Sequence, residues 1–288
     1  MKNQKHIILI PVYNDWNSLN QLLLEIDTNL SQIKGFKNEI LIVNDSSTKK
    51  INIKRKKFDN IKKITLLNLK KNCGSQKAIA IGLSYLNKAY SNFFITVMDG
   101  DGEDQPSEIV KMLILANKFK DSVITSNRKK RKESLIVRML YNFHLIFTFL
   151  LTYKWISFGN FTTFYSSNIK NILYENQSCF AHSSSVIKNC KIIRLYAKRG
   201  KRYYDNSNLN LLDLIEHSLR INALFLKRVI FTTFAYFILI LTFLNKFFFV
   251  KLIFIILFCF LYILIYFIRK KHFIEDLSKY NRYQIRLI

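Results

Sequence analysis

Two apolar runs in the C-terminal third limit the folds open to this chain more than any other feature. Residues 229–244 are almost wholly apolar, Asn245 and Lys246 interrupt, and residues 247–268 are apolar again except for Lys251. A hydrocarbon core of about 30 Å takes roughly 20 helical residues at about 1.5 Å each. The second run meets that alone, and the first meets it when residues 222–228 add a turn. Lys227 and Arg228 precede the first run, and Arg269, Lys270 and Lys271 follow the second. By the positive-inside rule both flanks are cytoplasmic, so the pair reads as a hairpin that re-enters the cytoplasm. Lys251 then sits near the far end, where its stem reaches the outer interface. The alternative is a pair of buried core helices. Two spans without interior charge argue against a pore.

Composition narrows the classes further. Half of the 288 residues are hydrophobic (50%), with 25 Phe and 15 Tyr, which excludes intrinsic disorder. Gly at 7 and Pro at 2 exclude a collagen-like or linker protein. Lys and Arg total 45 against 19 Asp and Glu, a formal net charge of +26. An apolar and basic chain points to a bilayer, a nucleic acid or a phosphorylated substrate. No nucleic-acid-binding motif is recognisable, so no nucleic-acid partner is expected. Cys73, Cys179, Cys190 and Cys259 form no C-x-x-C pair, which speaks against a disulfide framework or a zinc site and for a reducing compartment. The opening MKNQKHIILIPVYND is basic and then briefly apolar, too short for a signal sequence, and reads as a strand.

Before residue 200 the pattern alternates. Residues 6–12, 39–43, 64–67, 93–98 and 123–126 read as strands, with helical spacing at 19–30 and 76–88 between them. That order implies an α/β fold with a mostly parallel, Rossmann-like sheet. Ligands in such sheets bind at the carboxyl ends of the strands. The polar residues there are Tyr13-Asn14-Asp15, Asn44-Asp45, Asn72 and Asp99-Gly100-Asp101. Residues 135–151 are apolar but carry Arg138, Asn142 and His144 at helical spacing. They read as an amphipathic helix lying at a membrane interface or packed against the sheet. Residues 211–226, with His217, form a second amphipathic segment.

The sharpest motif is MDGDGEDQP at 98–106, directly after an apolar strand. Asp99 and Asp101 at a strand end, extended by Glu103, are the ligand type of a hard divalent cation that grips a diphosphate. An acidic turn or degenerate calcium loop is the competing reading, but the further ligands and closing Glu of an EF-hand are missing.

With this motif the chain resembles glycosyltransferase family 2, nucleotide-sugar transferases of the GT-A fold. The likeness rests on residues 10–15 (IPVYND, with Asp15 for the usual Glu) and 42–48 (IVNDSST, with Ser46 for the usual Gly). It rests also on Asn72-x-Gly74-x-x-Lys77-Ala78-x-x-x-Gly82 and on Asp99-x-Asp101. The resemblance implies that Pro11, Tyr13, Asp15, Asp45, Lys77 and Asp99 border the nucleotide sugar. Asp45 would meet the base N–H edge, which uracil and guanine share. Asp99, Asp101 and Glu103 would hold Mg²⁺ or Mn²⁺, with Asp101 catalytic through that metal. For Asp45, a plain role in capping its own turn stands beside the nucleotide role.

The second half resembles the membrane-associated members that include polyprenyl-phosphate sugar transferases, where a GT-A domain precedes two spans. Asn127–Glu133, the Gly159-Asn160-Phe161 turn and the Arg199-Gly200-Lys201-Arg202-Tyr203 segment carry this closer likeness. Asp205 stands where Gly is usual, and Ser157 or Phe158 where many relatives have Asp. Arg128, Arg131, Arg199 and Arg202 are then candidates for acceptor and diphosphate phosphates, because Arg binds phosphate bidentately. The alternative is attraction of anionic lipid without a catalytic role.

Family 2 enzymes generally invert. A hydroxyl acceptor needs a base, for which Glu133 and His182 stand first, with Asp104 as another carboxylate. A lipid phosphate needs none, being largely ionised at neutral pH with a second pKa of about 6. The expected organisation is a GT-A domain at 1–205, a juxtamembrane segment at 206–228, a hairpin at 229–268 and a basic cytoplasmic tail at 269–288. The expected protein is a two-span membrane enzyme with its catalytic domain and both termini cytoplasmic. Its partners are a nucleotide sugar, a lipid-phosphate or glycan acceptor and the membrane. Homo-oligomerisation stays open, with no small-x-x-x-small motif to argue from. Two alternatives remain: transfer to a hydroxyl of a surface glycan or lipopolysaccharide, and a non-catalytic membrane protein that kept the fold.

Overall fold

The computed structural model describes residues 4–53, 57–128, 135–174, 180–204, 211–243, 248–272, 277 and 281–286. Strands β1 (Gln4–Val12), β2 (Phe36–Asn44), β3 (Ile61–Leu69) and β4 (Phe93–Val97) lie parallel, in the spatial order β4-β1-β2-β3. Helix α1 (Trp16–Leu30) joins β1 to β2, and α2 (Ser75–Ala89) joins β3 to β4. Helix α3 (Ser107–Lys118) leads to β5 (Ser122–Arg128), and α4 (Leu135–Thr152) leads to β6 (Phe158–Tyr165). Strand β6 inserts antiparallel between β4 and β5. The short α5 (Ile169–Ile172) and α6 (His182–Asn189) precede β7 (Lys191–Ala197), which runs parallel to β5 at one edge.

Why these strands form is written in their side chains. Parallel strands are covered on both faces, so they read as continuous apolar runs rather than alternating ones. In β1, Ile7 and Leu9 point to one face and Ile8 and Ile10 to the other, and all four are buried. The first face packs on α2, α5 and α6, and the second on α1 and α3. Gly82 lets α2 lie close to the sheet: a Cβ there would come within 2.6 Å of Leu9 Cδ1.

After β7 come α7 (Leu211–Leu224), α8 (Leu226–Phe243) and α9 (Phe248–His272). The last two are long and apolar enough to cross a membrane. Only 17% and 6% of their most apolar windows is buried, so they are not the core helices of the alternative reading. They touch through the hydroxyls of Thr233 and Tyr262. The last turn of α9 is tied back to α7: Arg269 Nη1 donates to Ala223 O at 3.1 Å, and Lys271 Nζ pairs with Glu216 at 2.7 Å. Helix α4 packs on α7 and α8, the amphipathic segment being helical as its spacing predicts. The tail does not simply trail away: β8 (Asn281–Arg286) adds antiparallel to β3 and closes the order β7-β5-β6-β4-β1-β2-β3-β8.

Candidate active site

The carboxyl ends of β1, β2 and β4 converge, as a parallel sheet requires, and bring the sequence-selected residues to one rim. At the β2 end, Asp45 is 3% exposed. Its two oxygens accept the Cys73 and Gly74 N–H groups at 2.8 Å each, and Cys73 Sγ lies 3.2 Å from Oδ1. Burial raises the Asp45 carboxyl above the usual carboxylate range, against the Cys73 and Gly74 bonds and the charge of Lys77. The Cys73 thiol is pushed up by burial and by Asp45 itself. Asp45 therefore fixes the turn that starts α2, where Gly74 takes φ +83° as the residue before the helix. It does not cap Ser47 or Thr48; that duty falls to Asn44 and Asn14. Asn44 Oδ1 accepts Ser47 N–H at 3.0 Å, and Asn14 N–H donates to Ser47 Oγ at 2.9 Å.

At the β1 end, Pro11 belongs to the strand, Tyr13 is exposed, and Asp15 caps α1 by accepting Ser18 N–H at 3.3 Å. Asp15 thus has a local structural task beside its expected place at the nucleotide. Lys77 is half-buried, and its charge reaches both Asp45 and His272 at the end of α9.

The β4 end carries the acidic loop. Asp99 N–H donates to Asp104 Oδ2 at 2.9 Å, and Glu103 N–H donates to Asp101 Oδ1 at 3.0 Å, so the loop is folded by its own carboxylates. Residues 199–203 lie across it. Arg202 Nη2 pairs with Asp101 Oδ2 at 3.0 Å, and Arg199 pairs with Glu103. The backbones add Gly200 N–H to Glu103 O at 2.8 Å and Tyr203 N–H to Asp101 O at 3.1 Å. The Tyr203 ring lies where a side chain on Gly102 would stand, and Gly102 is left-handed at φ +88°. Both reasons demand glycine at 102.

A line of polar side chains that the sequence reading missed runs behind this loop. Asn160 Nδ2 donates to Asp99 Oδ1 at 2.9 Å, Gln76 Nε2 to Asn160 Oδ1 at 3.0 Å, and His182 N–H to Gln76 Oε1 at 2.7 Å. The signal was present in part: Asn160 sits in the G-N-F turn and Gln76 between Gly74 and Lys77. His182 itself corrects an expectation. It is fully buried, its Nε2 is 2.7 Å from Thr162 Oγ1, and burial pulls its imidazole down to about 3. A histidine with no exposed surface is not placed to take a proton from an acceptor.

The remaining expected site residues divide. Arg131 and Glu133 lie outside the described residues, and of Arg128 only its place at the end of β5 is described. For a divalent metal the donor chemistry of Asp99, Asp101 and Glu103 is suitable, since one or two carboxylates with substrate phosphate oxygens complete such a site. Among the described residues no three His, Cys, Asp or Glu side chains converge as ligands. In this structure Arg202 pairs with Asp101 and Arg199 with Glu103. Asp99, Asp101 and Glu103 are the residues that would hold a divalent metal.

A family model described as Glycosyl transferase family 2 matches residues 7–190. Among solved structures, the fold is similar to S. aureus TarS 1–349 in complex with UDP-GlcNAc. The identity is 17%, over 77% of this chain and 66% of that one, with a TM-score of 0.45. It is also similar to glucosyl-3-phosphoglycerate synthase from Mycobacterium tuberculosis in complex with Mn²⁺, UDP and glucosyl-3-phosphoglycerate. There the identity is 14%, over 78% and 80% of the two chains, with a TM-score of 0.47.

Proposed function

The chain belongs to glycosyl transferase family 2 and is a nucleotide-sugar glycosyltransferase; on that premise we propose that it moves the sugar to a lipid-linked acceptor, polyprenyl phosphate, at the cytoplasmic face of a membrane. The observation that carries this reading is the arginine-bearing segment 199–203 lying directly on the acidic loop at the β4 end. Two guanidiniums at the rim of a sheet that binds nucleotide sugars supply what a departing diphosphate and an incoming lipid phosphate both need.

The residues divide the work. Asp45, Tyr13 and Lys77 form the nucleotide end, where a remaining lone pair of Asp45 meets the base N–H edge. Asp99, its rotamer held by Asn160, borders the ribose and diphosphate. Arg199 and Arg202 turn from Glu103 and Asp101 to phosphate oxygens and neutralise charge as the anomeric bond breaks. The acceptor phosphate attacks from the opposite face and inverts the centre. It arrives ionised, so no protein base is required, which agrees with the burial of His182.

In this reading residues 1–205 are the catalytic unit, 206–228 the juxtamembrane segment and 229–268 the hairpin, while the tail from 269 returns through β8 to the catalytic sheet. Both ends of the α8–α9 pair lie at the catalytic unit and both carry cations, which supports a cytoplasmic placement of that unit.

The test is donor turnover by the detergent-held full chain. A panel of UDP- and GDP-sugars is offered with Mg²⁺ or Mn²⁺, with and without polyprenyl phosphate. Nucleoside diphosphate release that needs the lipid phosphate and disappears in Asp101→Ala is the expected result. Donor binding without lipid-dependent turnover would move the acceptor to a glycan hydroxyl. No donor binding would return the chain to a non-catalytic role.

A further inference from the structure

Helix α4 carries an apolar face that no described residue covers. Met139, Phe143, Ile146, Phe149, Leu150 and Tyr153 along and just past it are all exposed, Met139 at 71% and Phe143 at 67%. The opposite face is docked: Leu145, Thr148, Leu151 and Thr152 are buried, and His144 Nδ1 lies 2.6 Å from Ser218 Oγ on α7. Soluble proteins rarely leave a contiguous patch of such side chains in water.

The depth of α4 follows from how its end is held. The last carbonyls of a helix have no partner within it. Here three side chains of α8 supply partners: Tyr236 Oη to Leu150 O at 2.8 Å, Thr232 Oγ1 to Leu151 O at 2.7 Å, and Arg228 Nη1 to Thr152 O at 3.2 Å. Thr232 is short and has no reach, so Leu151 O lies at its level. Thr232 is one turn past Arg228, about 6 Å along the axis at about 1.5 Å per residue. If Lys227 and Arg228 mark the headgroups, the end of α4 sits at the boundary between headgroups and acyl chains. An interfacial helix buries its apolar face to a depth of about 5–10 Å.

We propose that α4 lies in the cytoplasmic interface of the bilayer with its exposed face in lipid, a third membrane contact beside the two spans. The occupant is an anionic bilayer surface, on two grounds. The apolar face continues onto α8, where Phe231 is 72% and Phe234 61% exposed. The chain is basic on both sides of α4, with Lys129, Lys130, Arg131 and Lys132 before it and Lys154 after it. The inference rests on the reading of α8 and α9 as spans. Its consequence concerns the site: α4 joins β5 to β6, and β6 carries Asn160 behind Asp99, so this contact sets the height of the acidic loop above the lipid phosphates.

The two tryptophans make the test direct. Trp16 is core, 4% exposed, while Trp155, just past α4, is 41% exposed. The Trp16→Phe full-length chain is reconstituted in anionic vesicles whose lipids carry bromine at stepped depths. Bromine high on the acyl chain should remove about half of the Trp155 emission, and bromine at the bilayer centre much less. The paired change Phe143→Glu with Ile146→Glu should weaken that quenching while the chain stays resistant to alkaline extraction. Should Trp16→Phe fail to fold, the unaltered chain serves, because buried Trp16 adds a lipid-independent background. A chain that resists extraction but shows no bromine effect on Trp155, or one whose quenching ignores the glutamates, overturns the inference and leaves the spans intact. Release of the chain by alkaline wash overturns the membrane reading itself.

Discussion

Asp45 and Asp101 follow two parallel strands of one sheet, two positions apart, and are held by different means. Asp45 is clasped by backbone N–H groups of the turn that opens α2. Asp101 accepts one backbone N–H, that of Glu103, and its other oxygen is held by the guanidinium of Arg202, a long side chain 31% exposed. Backbone dipoles are part of the fold and cannot leave it, whereas an arginine can exchange one anion for another. The β2 end of the rim is therefore built, and the β4 end is exchangeable. That is the division a transferase needs if its nucleotide site is to persist while charge is moved at the diphosphate.

The largest expected effect separates the two aspartates by stability. Asp45→Ala strands two N–H groups in a half-buried turn and should cost about 2–3 kcal/mol. Asp101→Ala strands one N–H, that of Glu103, while Arg202 can turn to water, and should cost about 1 kcal/mol while abolishing donor turnover. Thermal unfolding of both variants in detergent checks this. Equal losses would erase the contrast.

Acid should cost the fold next, through two buried histidines away from both aspartates. Burial pulls His6 down to about 4, against its bond to Asn38, and His182 to about 3. The unfolded imidazoles titrate near 6.5, so above that pH both states are neutral and stability is full. As pH falls below 6.5 the unfolded chain binds protons that the fold refuses, and stability drops with it. For His6 alone the loss at pH 5 is about 2 kcal/mol, from about 1.36 kcal/mol per unit. Unfolding followed from pH 7.5 to 5 measures it, and a flat profile would mean that these histidines are not buried neutral.

At the exchangeable end, Arg202→Gln removes the cation that sits on Asp101. Manganese binding without nucleotide, read from the free-ion resonance, should tighten about tenfold, or about 1.4 kcal/mol. Unchanged affinity would show that Arg202 does not compete for this loop.

The same contrast explains what was legible in the sequence. Strands β1 to β4 announce themselves because parallel strands are apolar on both faces and end at polar residues. Strand β6 reads FGNFTTFY: its Thr162 and Thr163 are fully buried, which only a tertiary hydrogen-bond network can justify. Helix α6, HSSSVIKN, is polar in sequence yet buried from His182 to Ile187, for the same reason. Asp45, Asp99 and Asp101 were visible as strand-end carboxylates. Their partners lie far along the chain, Arg202 on Asp101 and Asn160 on Asp99, and no local pattern encodes such contacts.

The smallest prediction sharpens the built end. Ser46 follows Asp45 and takes φ +58°, a left-handed conformation that L side chains adopt at a cost. The family motif has glycine at this place. The Ser46 N–H donates to Asn44 O at 2.8 Å, a bond that glycine keeps, so Ser46→Gly relieves the strain without removing that contact. Glycine also loosens the unfolded chain, which offsets part of the gain. The net expectation is a stabilisation of about 0.5–1 kcal/mol with donor affinity unchanged. A destabilised variant would mean that the Ser46 side chain, and not only its backbone, helps to hold the turn beside Asp45.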